Sequence, residues 1–386
     1  MVSRSNLTSP EDFRLPRSVA FSGDKVFRSP KTGGSGTARA DLGDVTRPTK
    51  IVTLYAMNLL RRITCLALLA VTAVPLSLNA APLKIAYSDW PGWVAWEIAI
   101  QKGWLKDAGV DAEFLWFEYG PSMDAFTAGK ADAVMVTNGD SLVTGANGAK
   151  NVVIMLTDYS NGNDMIVAQP GIKSLKELKG KKIGLEVGLV EHLMLLNALK
   201  KIGLSESDIT IVNTPTNQTP QVLASGQVDA IAAWQPNAGQ ALKAVAGSTA
   251  IYSSADEPGL IYDTIVVSPQ SLAQHRADWV KLVSVWDKTL AYLTNPATKE
   301  DALKIMAART GSTPAEYAAF IGGTHFLSLA ESAKIIARKS GGFDSLGGSS
   351  SVANEFNVKN SVYKESQDVA GYIDATLTAE AIAAKK

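Results

Sequence analysis

Residues 83–136 read LKIAYSDWPGWVAWEIAIQKGWLKDAGVDAEFLWFEYGPSMDAFTAGKADAVMV, and this stretch decides the fold. Short β-branched and apolar runs (LKIAY, AEFLWF, DAVMV) alternate with helical patterns (VAWEIAIQKGWLKDAG, MDAFTAG), and a helix near Ser141 to Asn147 and the run VVIML continue the order. Such alternation predicts an α/β fold with mixed, mainly parallel sheets. The order repeats from IVAQ through LKELKG, KIGLE, VEHLMLLNALKKIG, ITIVN, TPQVLASG, DAIAAW, NAGQALKAV and AIYSS, which indicates a second lobe.

A local similarity supports the division. FTAGKADA at 126–133 and LASGQVDA at 223–230 each join a helix end, a Gly and an Asp-Ala pair to a following strand. Gly129 and Gly226 suit the left-handed position that stops a helix, and Asp132 and Asp229 read as structural parts of the joint. Past Pro269 the pattern turns helical, with amphipathic stretches at 279–293, 299–309, 314–321, 329–339 and 362–377, expected to cover the first lobe.

Outward from this core, residues 57–81 read MNLLRRITCLALLAVTAVPLSLNAA. Arg61 and Arg62, an apolar run and a small-residue site form the pattern of a secretory signal peptide beginning at Met57. Residues 1–56, rich in Arg, Ser, Gly and Pro, then read as a disordered extension upstream of the true start. The apolar run is broken by Pro75 before a full span of about 20 residues. The sole cysteine, Cys65, falls in the signal segment and has no lipobox before it, so a soluble periplasmic product without disulfides is expected.

The formal charge of zero sums two unlike parts. Residues 1–80 hold 11 Lys and Arg against 5 Asp and Glu, leaving 26 against 32 for residues 81–386. An acidic exported chain argues against nucleic acid and anionic membrane surfaces as partners.

The opening stretch, together with IKSLKELKGKKIGLEVGLVEHLMLLNALKKIGL and QVLASGQVDAIAAWQPNAGQAL, resembles the periplasmic substrate-binding proteins of ABC importers of the nitrate/sulfonate/taurine type. Within that group the chain is most similar to the branch found beside urea carboxylase genes. The resemblance implies a two-lobed type II periplasmic binding protein with extra C-terminal helices. Its parts would be 81–165 for the first part of lobe 1, 166–262 for lobe 2, and 263–386 for the return to lobe 1 and the C-terminal helices. The chain would cross between lobes at Asp164 to Gln169 and at Tyr262 to Val267. The resemblance further implies a monomer that closes on a small solute, presents it to an inner-membrane permease and transforms nothing.

Ligands of doubly wound sheets sit beyond the carboxyl ends of the strands, so the residues after each apolar run are the candidates. They are Asp89, Trp90, Trp93, Tyr119, Asn138, Asp140, Asp164, Glu186, His192, Trp234 and Asp263. Carboxylates and aromatic rings dominate, a lining suited to a cation, because ring faces attract ammonium and guanidinium groups. Residues 81–386 hold only three arginines, Arg276, Arg309 and Arg338, all in the helical C-terminal part. An oxyanion would lack the planar fork that commonly binds it.

Other readings stand beside these. Asp89 and Asp263 could cap a following helix or turn, Glu186 could sit at the positive end of its helix, and His192 could be structural. Trp96, Trp104, Trp116, Trp279 and Trp286 are read as core. No cofactor is implied, and the histidines show no metal-ligand spacing. The expected solute is a small nitrogenous compound, urea- or guanidine-like and cationic, with nitrate, taurine or an alkanesulfonate as the alternative. The rival class, an enzyme resembling pyrimidine-precursor synthases, relies on a cysteine-rich motif absent after Cys65.

Overall fold

The computed structural model describes residues 81–384, so the expected extension and export segment lie outside the described residues. From its start the chain forms β1 (Leu83–Tyr87), α1 (Pro91–Val94), α2 (Trp96–Gln101), α3 (Trp104–Asp107), β2 (Ala112–Trp116), α4 (Tyr119–Thr127), β3 (Ala133–Thr137), α5 (Asn138–Ala146) and β4 (Val152–Ser160). A second series follows: β5 (Met165–Ala168), β6 (Lys182–Leu185), α6 (Val190–Lys201), β7 (Thr210–Asn213), α7 (Thr219–Ala224), β8 (Ala230–Ala233), α8 (Asn237–Ala244) and β9 (Thr249–Ser253). The chain then returns through β10 (Tyr262–Val267). It finishes with α9 (Pro269–Ser284), α10 (Trp286–Thr294), α11 (Lys299–Thr310), α12 (Pro314–Gly322), β11 (Thr324–Phe326), α13 (Leu329–Ala337), α14 (Leu346–Lys359) and α15 (Leu377–Ala383).

Two sheets result, with strand orders β11-β4-β10-β3-β1-β2 and β7-β6-β8-β5-β9. Each has a parallel centre, β2-β1-β3 and β7-β6-β8. Antiparallel strands carry the chain between lobes, β4 and β10 in the first and β5 and β9 in the second, and β11 adds an antiparallel edge beside β4. The sheets are therefore mixed, with more antiparallel pairing than the strand-helix alternation suggests. Every residue of β3 and β10 is buried, which explains their unbroken apolar character, since such strands are covered on both faces.

The repeated joint is structural, as read. Gly129 and Gly226 have φ of 68° and 71°. Asp132 Oδ2 accepts from the Lys84 amide at 2.9 Å and Asp229 Oδ2 from the Lys182 amide at 2.8 Å, so each aspartate ties its joint to the parallel strand beside it, β1 or β6.

The passages between sheets differ from the expected positions. The chain leaves the first sheet after Ser160 and enters the second at Met165; it leaves the second after Ser253 and re-enters the first at Tyr262. The apolar runs of 165–168 and 262–267 are thus strands, not hinges. The two passages are joined to each other: the Ser160 and Ser254 hydroxyls lie 2.6 Å apart, and the Gly162 amide donates to Ser254 Oγ at 2.8 Å.

The C-terminal helices cover the first lobe through stacked indoles. Fully buried Trp96 and Trp286 lie 5.2 Å apart, and Trp279 is also fully buried. Trp104 and Trp116, expected in the core, are half-buried beneath cations: Lys288 over Trp104 at 4.3 Å and Arg309 over Trp116 at 4.4 Å. The expected helix at 362–377 is mostly turns, and the true helix is α14, LGGSSSVANEFNVK, whose glycines and serines disguise it. Those small residues permit close approach. Ser349 Oγ donates to the Leu260 carbonyl at 2.8 Å, and any side chain at Gly348 would strike the Gly342 and Ser340 backbone. Tertiary contacts here outweigh helix propensity. The same helix reaches the second lobe, where Phe356 meets the His192 ring edge-on at 5.4 Å.

Candidate functional site

The carboxyl ends of β1, β2 and β3 and the start of β10 in the first lobe, with the approach to β5, the start of α6 and the loop after β8, converge on a small chamber. Its walls are mainly aromatic. Trp93 and Tyr119 stack with ring centres 5.5 Å apart, Trp234 meets Tyr119 edge-on at 5.1 Å, and Trp90 lies 6.4 Å from Trp93. Thr137, Val190 and Ile261 complete the apolar lining, and Asp164 and Asp263 supply the acid. The space between atoms is about 220 Å³, little of it wide enough for a water molecule. The walls nearly fill the chamber, so a solute enters only as they part.

Its acids are buried without cations. Asp263 and Asp164 are each 2% exposed and each keeps one oxygen without a hydrogen-bond partner. Burial, then the charges of Asp158 and Asp164, push the Asp263 carboxyl well above its usual range. Burial raises Asp164 to about 6 against the Ser160 hydroxyl. Behind it Glu191, fully buried against the Asp164 carboxyl, is pushed well up by burial and by Asp164. Asp158 rises to about 6 through burial, despite bonds that include the Trp90 indole N–H at 2.9 Å. No lysine or arginine is among the residues lining the chamber. Ionised groups in such surroundings are costly, and neutralise unless a counter-charge arrives.

A second hollow, about 650 Å³, shares Tyr119 and Trp234 with the first and adds Asp89, Glu118 and Glu186. Asp89 holds the lobes together: Trp234 Nε1 and Asn237 Nδ2 of the second lobe each donate to it at 3.0 Å. Burial nonetheless raises it to about 6. Glu186 is raised to about 7 by burial, against a bond from the Thr216 hydroxyl at 3.2 Å.

The start of α6 is occupied by the protein itself. The Val190 amide donates to Asp140 Oδ2 across the lobes at 3.3 Å, and Tyr119 OH donates to the same oxygen at 2.6 Å. Gly188 N donates to His192 Nδ1 at 3.2 Å, Val187 N to Asn213 Oδ1 at 3.0 Å, and Leu189 N to the Glu186 carbonyl. A helix N-terminus is a ready anion site, but here the amide of its first residue, Val190, is already bonded to a carboxylate.

Residues 91–299 match the NMT1/THI5-like family. The chain belongs to that family. A putative binding protein of Brucella abortus (strain 2308) is 29% identical over 241 residues, 61% of this chain and 74% of the relative. The fold is that of periplasmic ABC substrate-binding proteins. The MOPS-bound alkanesulfonate-binding protein SsuA from Xanthomonas axonopodis pv. citri superimposes with a TM-score of 0.63 at 19% identity, covering 76% of this chain and 98% of SsuA. The nitrate-binding protein NrtA from Synechocystis PCC 6803 gives 0.64 at 13% identity, covering 79% and 89%.

Of the candidates read from the sequence, this NMT1/THI5-like chain brings Trp90, Trp93, Tyr119, Asp164, Trp234 and Asp263 to the inner chamber and Asp89 and Glu186 to the adjoining hollow. Neither Asp89 nor Asp263 caps a helix; Asp89 bonds across the cleft, and Asp263 lies within β10. Glu186 bonds Thr216 rather than the helix start. Asp140 stands behind Tyr119. Two candidates are structural. Asn138 bonds Ser349 and Ser350 and accepts the Tyr262 amide, and His192 accepts the Gly188 amide and packs on Phe356. Asp158 and Glu191 were not candidates. Asp158 lies inside β4 rather than after it, and the signal available was an acid within an apolar strand.

Proposed function

We propose that this protein is the periplasmic solute-binding component of an ABC importer, and that its solute is a small, planar, nitrogen-rich compound, urea- or guanidine-like in shape and favoured as a cation of the guanidinium kind. The observation that carries this reading is the pair of lining acids, Asp164 and Asp263, each buried in the wall of an aromatic chamber whose lining residues include no cation, and each with another acid, Glu191 or Asp158, as its neighbour. A guanidinium would supply planar donors to the acids and a charged face to the rings, worth about 0.5–2 kcal/mol per ring contact. Contacts from Trp93 and Asp263 in one lobe and Trp234 in the other exist together only when the lobes are closed, so binding favours closure. The closed form would then be read by an inner-membrane permease.

An oxyanion or sulfonate is the second reading, favoured by what SsuA and NrtA are named for. The occupied amides at the start of α6 and the acids facing the chamber weigh against it. The chamber offers rings, acids and two hydroxyls, those of Tyr119 and Thr137. Thermal unfolding with guanidinium, urea, taurine, nitrate and alkanesulfonates tests the choice. Guanidinium is expected to stabilise most; stabilisation by the anions alone would reject the cationic solute.

A further inference from the structure

The antiparallel register of β4 and β10 sets Asp158 opposite Asp263. Directly opposed residues hold their Cβ atoms about 4.5–5.5 Å apart, so two acids face each other within the sheet, 0% and 2% exposed. Only Asp263 is among the residues lining the chamber. Asp158 stands behind, one oxygen fixed by the Trp90 indole N–H, the other unpartnered against Gly92, where any side chain would collide with it. The charged and titratable groups that act on the pair are Asp164 from the passage between lobes, Asp140 from α5 and the buried Tyr317 phenol from α12, none of them a cation. Two carboxylates this close cannot both ionise without a counter-charge, so together they retain a proton.

We propose that Asp158 and Asp263 are a shared-proton pair whose inner member meets the solute, so that capture of a cation expels the proton, and that Asp158 is the positioning residue that makes this exchange possible. The inference rests on the cationic reading above. Charge balances in the exchange: the pair changes from one negative charge to two, the solute brings one positive charge, and the proton passes to solvent. A neutral solute of the same shape demands no such release. The pair therefore discriminates guanidinium from urea by pH, favouring the cation as pH rises.

Calorimetric titration with guanidinium chloride, at concentrations far below denaturing, in buffers of different ionisation enthalpy counts the protons released. About one proton per guanidinium is expected over the range in which the free pair holds a single proton, with affinity rising about tenfold per pH unit there before levelling off where the free pair is already ionised. Urea should bind without proton release and without pH dependence. Asp158→Asn should reduce the proton count and flatten the guanidinium profile while the cation still binds, which loss of packing alone would not do. Guanidinium binding without proton release overturns the proposal, as does a variant with the wild-type count. Should the variant fail to fold, the wild-type count decides. No binding of guanidinium at any pH would instead reject the cationic reading, and this inference with it.

Discussion

Arg276 and the cleft present the same chemistry in opposite states. At the C-terminal edge, the Arg276 guanidinium donates to Asp374 at 2.6 Å, to Thr376 at 2.7 Å and through two nitrogens to Glu380 at 2.8 and 3.1 Å. Burial alone would raise the Asp374 carboxyl, yet the guanidinium and the Thr376 hydroxyl hold it at about 2. In the cleft, carboxyls of the same kind sit deeper with no such partner and are pushed upward. The difference teaches that the cleft is not short of hydrogen-bonding capacity but of positive charge, and the Arg276 nest shows what a planar cation does to a ring of acids.

Replacing one acid in each place should break the symmetry most visibly. Asp263→Asn removes a lining carboxylate, and loss of one partner from a buried charged pair costs about 2–5 kcal/mol of affinity. Guanidinium binding, measured by calorimetry, should fall accordingly, while urea binding changes far less. Without solute at neutral pH the same variant should melt higher than wild type, because a buried acid lacking a counter-charge is gone. Asp374→Asn, which takes one of two carboxylate partners from the Arg276 guanidinium, should melt lower. Equal destabilisation by both variants would show that the cleft acids are satisfied in some other way.

The two places also divide the pH dependence of stability. Asp89, Asp140, Asp158 and Asp164 are each raised from 3.8 to about 6. Between those values the folded form binds more protons than the unfolded chain, so stability falls as pH rises, by about 3 kcal/mol for a single carboxyl at about 1.36 kcal/mol per unit. Asp374 has the opposite sign: lowered from 3.8 to about 2, it contributes stability above its ordinary value that is lost as pH falls through about 2. Denaturant unfolding across this range should therefore show a decline from about pH 4 to pH 6 that saturating guanidinium flattens, and a separate acid limb that it leaves unchanged. A wild-type curve that rises from about pH 4 to pH 6 would contradict the raised carboxyls.

The reasons some of this was legible in the sequence are local. Strand ends follow from apolar runs, and a doubly wound sheet directs its loops to one edge, which is why Trp90, Trp93, Tyr119, Trp234, Asp164 and Asp263 could be chosen before their contacts were known. What escaped depends on pairing between distant residues. Asp89 and Trp234 are 145 positions apart, and no periodicity announces that bond. Asp158 was hidden because its partner lies on a strand that arrives only after the second lobe is complete. Helix α14 was hidden because its glycines and serines answer to close neighbours rather than to propensity. His192 and Asn138 had the right positions in the chain but their polar groups are turned to backbone amides and serines instead of the chamber.

The smallest effect tests the seam between the lobes. Trp234→Phe keeps an aromatic face toward the chamber and deletes only the indole N–H that reaches Asp89. Leaving a buried acceptor without its donor costs about 1–3 kcal/mol, here shared between closure and binding. Guanidinium affinity should weaken by about fivefold to thirtyfold, mainly through faster release, because interactions that hold a closed form act on dissociation. Asn237 Nδ2 still bonds the other oxygen of Asp89, so the lobes should continue to close. Stopped-flow tryptophan fluorescence separates the two rates, and X-ray scattering follows the opening of the unliganded protein. If release is unchanged while Asp263→Asn abolishes binding, the acids alone hold the cation and the seam is mere packing. If release quickens, Asp89 has two tasks that the Arg276 nest assigns to different residues: it joins two parts of the fold, and it lends negative charge to the mouth of the site.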